Sequence, residues 1–66
     1  MELTINGEKI EAPDGLKLGE LLEERGFAPQ SVVVERNREL VLRENFASTR
    51  LEAGDSLEIL HFVGGG

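Results

Sequence analysis

The residues able to do chemistry are few. There is one histidine, His61, and no cysteine, which removes Cys/His chemistry and leaves a Ser/His/Asp triad unsupported. His61 as a metal ligand would need partners, and only scattered carboxylates are on offer, so it reads as an ordinary residue of a strand near the surface. Glu23 and Glu24 sit side by side, but adjacent acids on a helix face are a solvated surface far more often than an acid/base pair. The glycines concentrate at the end, Gly64-Gly65-Gly66, and not between a strand and a helix, so they form no phosphate cradle. No metal ligand set and no catalytic residue is legible in the chain.

What remains is the glycine tail. Without Cβ atoms, a Gly-Gly end is the thinnest possible peptide and adopts backbone angles closed to other residues, so it can enter a narrow channel. Its reactive group is the Gly66 carboxylate, a poor electrophile until adenylation by ATP turns one oxygen into a leaving group. That chemistry would be done to this protein by an enzyme. From composition alone the tail reads more readily as a frayed end or a cloning scar.

The elements that would position such a tail can be read from periodicity. Leu3 and Ile5 alternate with Glu2 and Thr4, and Asn6-Gly7 then leads into Glu8 to Glu11; Asn-Gly favours a type I′ turn, predicting an opening hairpin. After the Ala12-Pro13-Asp14-Gly15 turn, KLGELLEERG places Leu18, Leu21 and Leu22 on one helical face and Glu20, Glu23 and Glu24 on the other, with Gly26 as the stop. Lys17 occupies the cap position, where Ser, Thr or Asp would accept backbone N–H bonds. Glu20 in the first turn compensates through the helix dipole. SVVVER and ELVL read as strands joined at Asn37-Arg38. An irregular stretch between Arg43 and Ala53 is pinned by Phe46 and Leu51, and SLEILHFV follows the Gly54-Asp55 turn as the last strand. One helix covers one face of the sheet, so the fold class is α+β with an open face.

Parity in the last strand separates Leu57, Ile59 and His61 from Ser56, Glu58, Leu60 and Phe62. Leu57 and Ile59 are the core candidates. Leu60 and Phe62, with Val33, then fall on the open face as a docking surface directly upstream of the tail.

Composition agrees with a small soluble domain. The chain has 66 residues, 39% of them hydrophobic, near the lower limit for a single core without disulfides. No apolar run approaches the roughly 20 residues of a membrane span, and the N-terminus lacks the basic start and apolar stretch of a signal peptide. A cytoplasmic protein is expected, with no membrane. Thirteen acidic and seven basic residues give a formal net charge of −6. That sign disfavours nucleic acid and suits a protein partner with a basic patch.

Taken in order, Asn6-Gly7, the Leu21-Leu22 helix, VVVERNRELVLRENF with Asn37 and Arg43, Leu51, Gly54-Asp55 and the closing FVGGG resemble the ThiS family, the sulfur carrier proteins of thiamine biosynthesis. The resemblance spans the whole chain; its departures are Lys17 at the cap and a third terminal glycine. It implies a ubiquitin-like β-grasp fold, a mixed sheet of four to five strands on one helix in the order ββαββ(irregular)β, with residues 1–63 as the domain and residues 64–66 as a flexible tail. It also implies that Gly66 is adenylated by a ThiF-like enzyme consuming ATP, that a persulfide sulfur from a donor protein displaces AMP, and that the resulting thiocarboxylate feeds a ThiG-like thiazole synthase. Gly64 and Gly65 would be the arm, Leu60, Phe62 and Val33 the docking face, and the free protein a monomer that binds no cofactor and is not itself an enzyme. A MoaD-like carrier for molybdopterin synthesis, a ubiquitin-like modifier and a structural module with an incidental tail stand as alternatives.

Overall fold

The structure is a computed structural model and describes residues 1–62. The arm Gly64-Gly65 and the reacting Gly66 expected from the sequence lie outside the described residues, as does the boundary at Val63. Two hairpins supply the frame. Strands β1 (Glu2–Ile5) and β2 (Glu8–Glu11) pair antiparallel across Asn6-Gly7, whose φ values of 50° and 84° are those a type I′ turn requires. Strands β3 (Val32–Arg36) and β4 (Glu39–Val41) pair across Asn37 and Arg38, at φ 52° and 71°.

The last strand, β5 (Ser56–His61), lies between the hairpins, parallel to β1 and antiparallel to β3, so the five-stranded mixed sheet runs β2-β1-β5-β3-β4. Its limits are tighter than the sequence pattern suggests. Ser31 belongs to a 3-10 turn, Pro29–Ser31, and its carbonyl accepts the Phe62 N–H at 2.9 Å, which ends the ladder at the edge of that turn. Leu42 likewise falls just beyond β4, because the chain there bends into a 3-10 helix, Arg43–Ser48.

Helix α1 (Leu18–Glu24) crosses one face, and its buried Leu18, Leu21 and Leu22 join Leu3, Ile5, Val32, Val34, Leu57 and Ile59 in one core. Phe46 from the 3-10 helix and Leu51 close the core's far end, as the sequence pattern anticipates for this irregular stretch. The Lys17 ammonium has no lone pair with which to accept a capping bond. The missing half is met from the other side: the Glu20 carboxylate accepts the Lys17 backbone N–H at 2.9 Å. Gly26, at φ 80°, closes the helix, and the Phe27 N–H donates back to the Leu22 carbonyl at 2.9 Å. No helix among the described residues is long and apolar enough to cross a membrane.

Candidate docking face and C-terminal site

Because side chains alternate along a strand, the register decides what each face of the sheet presents. Val32, Val34, Leu57 and Ile59 turn to the helix; Val33 and Leu60, directly opposed on β3 and β5, turn away. The open face therefore carries Leu60 and Val33 side by side, with relative exposures of 67% and 41%, and Phe62 (42%) follows where the chain leaves β5. Of the three residues read from the sequence as a docking surface, Val33 and Leu60 lie side by side, and Phe62 is exposed two residues further along the chain.

Two members of the patch are absent from the sequence reading. Leu40 is opposite neither core residue nor helix; its partner in register is Glu35, and it is 61% exposed. Leu42, the next residue of that parity, is 51% exposed. Alternation in Glu39-Leu40-Val41-Leu42 carried the signal: Val41 packs against the core, so its neighbours of opposite parity face out. Phe62 and Leu42 also flank an open groove of ≈ 410 Å³ with Pro29, Gln30 and Arg43, at the end of the sheet where β5 finishes.

His61 keeps the helix-side parity assigned to it. Its ring meets Phe27 edge to face, with centroids 5.3 Å apart at 63°. Among the described residues no three His, Cys, Asp or Glu side chains converge on a point that could hold a metal.

The base of β5 is held by an ionic knot that joins distant parts of the chain. Asp55, buried at 6% exposure, accepts the Arg36 Nε–H at 2.8 Å, the Asn37 side-chain amide at 3.0 Å and the Glu52 backbone N–H at 2.8 Å. Burial works against its negative charge and would raise its pKa. The bonds from Asn37, the Glu52 N–H and Arg36, with the Arg36 charge, outweigh that and hold the carboxyl below the ordinary aspartate value. Asn37 completes the link by accepting the Ser56 N–H at 2.9 Å, the first residue of β5. At the other turn Asn6 grips the same strand, its amide bonding the Ile59 N–H at 2.8 Å and the Ile59 carbonyl at 3.2 Å. The strand that carries Leu60 and leads to Phe62 is thus fixed from both hairpin turns.

A small ubiquitin-like β-grasp protein with an exposed apolar sheet face at the foot of its C-terminal segment is the class these features define. The ThiS family matches residues 1–66, the full length of the chain. A sulfur carrier protein ThiS of Bacillus subtilis is 35% identical over 65 residues, covering 97% of this chain and 98% of that protein. A thiazole synthase of Magnetococcus marinus is 42% identical over 66 residues, and one of Paramagnetospirillum magneticum is 41% identical; this chain spans 20% of the length of each. The crystal structure of the thiamine biosynthesis protein ThiS from Geobacter metallireducens superposes with a TM-score of 0.80 at 38% identity, with both chains fully covered. The chain belongs to the ThiS family.

Proposed function

We propose that this protein is a sulfur carrier of thiamine biosynthesis and acts as a co-substrate, not as a catalyst. The observation that carries this is the ThiS match over residues 1–66, which takes in the glycine tail as well as the folded domain. A cysteine-free chain cannot carry sulfur as a thiol, so the carrier atom has to be made on a carboxyl.

In the proposed route the Gly66 carboxylate attacks the α-phosphorus of ATP on a ThiF-like adenylating enzyme, and pyrophosphate leaves. A persulfide sulfur from a donor protein then attacks the acyl carbon and expels AMP, and reduction of the S–S bond by a thiol frees a thiocarboxylate. That sulfur passes to a ThiG-like thiazole synthase. Gly64 and Gly65 form the narrow arm into either active site, and Val33, Leu60 and Phe62 dock the domain so that the arm is aimed. The two thiazole synthases that contain a stretch similar to this chain support the synthase as a partner.

Incubation with the adenylating enzyme, ATP and a sulfur source, followed by intact-mass and C-terminal peptide analysis, tests the reading. The expected product has one oxygen replaced by sulfur at Gly66. Sulfur at any other position, or thiazole formation by a protein whose C-terminal tag stays uncleaved, overturns it. Complementation separates the pathways: restored growth of a thiamine-requiring carrier deletion is expected, whereas rescue of molybdoenzyme activity alone would favour a MoaD-like role.

A further inference from the structure

At the centre of the open face the register sets Glu35 directly opposite Glu58. Both are exposed, and like charges placed opposite each other on neighbouring strands destabilise a sheet. Nothing within the described residues relieves them: neither carboxylate takes part in a salt bridge or a side-chain hydrogen bond. Arg36 is committed to Asp55 and Glu52, and Lys9, the base that β2 places opposite Thr4, lies two strands from β5. A local rule broken without compensation inside the chain points to compensation from outside it.

The position of the pair says what would supply it. On one side Glu35 is flanked in register by Leu40, and one step along the ladder come Val33 and Leu60. Whatever covers the apolar patch must therefore also cover the carboxylates, and burying them unpaired would oppose docking. Opposed residues of an antiparallel pair have Cβ atoms about 4.5–5.5 Å apart, so two glutamates can close on the two edges of one guanidinium or on one ammonium.

We infer that Glu35 and Glu58 form a clasp for a single arginine or lysine side chain of the thiazole synthase, whose apolar surface covers Leu60, Val33 and Leu40 around it. The inference rests on the docking reading above and adds the element that selects the partner: an apolar surface lacking the cation would be rejected by the buried like charges. The pair costs the free domain stability and returns it as affinity.

The test compares Glu35→Gln/Glu58→Gln with wild type in titrations against the thiazole synthase of the same organism at low and physiological salt. A Glu23→Gln/Glu24→Gln variant on the helix face serves as a control of equal net charge. The clasp variant should bind about tenfold or more weakly at low salt and lose most of its salt dependence, while the helix-face control binds as wild type. Free in solution, the clasp variant should be more stable to urea than wild type. Wild-type affinity in the clasp variant overturns the inference, and Leu60→Ser then tells the two failures apart: lost binding leaves the docking face standing, and retained binding removes it as well. Equal weakening by the helix-face control would reduce the effect to net charge and also overturn the clasp. Weakening seen only against the adenylating enzyme would overturn the assignment to the synthase.

Discussion

Replacing Asp55 with asparagine probes the knot that anchors β5. The side chain keeps its shape, but one acceptor oxygen becomes an NH₂ donor, and every direction from it already holds a donor: Asn37 on Oδ1, Arg36 Nε and the Glu52 N–H on Oδ2. The Asn37 amide cannot turn over to compensate without giving up the Ser56 N–H that its own oxygen accepts. At least one hydrogen bond to a charged group is lost and the Arg36 ion pair becomes neutral on one side, a cost of about 2–3 kcal/mol. A 66-residue domain has a stability on the order of 3–10 kcal/mol, so the loss is a substantial share. The chain has no Trp and no Tyr, which makes far-UV circular dichroism in urea the suitable readout. With a slope of about 1 kcal/mol/M for so short a chain, the midpoint should fall by about 2–3 M at neutral pH. The pH dependence follows in sign. Because folding lowers the Asp55 pKa, its contribution is complete above the unfolded value of about 3.9 and disappears as pH falls through the lower folded value. The difference between wild type and Asp55→Asn should therefore be full at pH 7 and shrink steadily in acid below about pH 4. Equal midpoints at neutral pH, or a gap that stays constant into strong acid, would refute the account of the knot.

Leu21→Ala removes a buried side chain, 3% exposed, from the helix-to-sheet contact, and should destabilise by about 2–5 kcal/mol in the same urea assay. Unchanged stability would take α1 out of the core. Phe62→Ala should weaken docking to the adenylating enzyme, measured by titration calorimetry, while leaving the urea midpoint within about 0.5 kcal/mol of wild type in free-energy terms, as befits a side chain left 42% exposed. Unfolding by this variant would mean that Phe62 belongs to the core. Deleting Gly66, or replacing it with a bulky residue, should abolish sulfur incorporation in the mass assay with the domain still folded. Sulfur incorporation by the deletion variant would contradict the proposed role of the residue.

Much of this molecule is written in short-range pattern. Asn6-Gly7 and Asn37-Arg38 form the expected turns because left-handed backbone angles are a local demand. Leu18, Leu21 and Leu22 are buried because a 3.6-residue period puts them on one face, and Leu60 lies exposed between Ile59 and His61 because a strand alternates with period two. The Lys17 cap shows the limit of reading one position at a time: the helix start is closed by Glu20 from three residues on. What only the tertiary structure decided is which strands meet. No periodicity within β1 or β5 states that they pair in parallel at the sheet's centre, or that β3 flanks β5 in the register that sets Val33 against Leu60 and Glu35 against Glu58. The convergence of Arg36 and Asn37 on Asp55, 19 and 18 residues away, likewise joins residues distant along the chain. A local pattern says which way a side chain points; its neighbour across a sheet is chosen by whole-domain packing, which buries the apolar faces of both hairpins and the helix in one core.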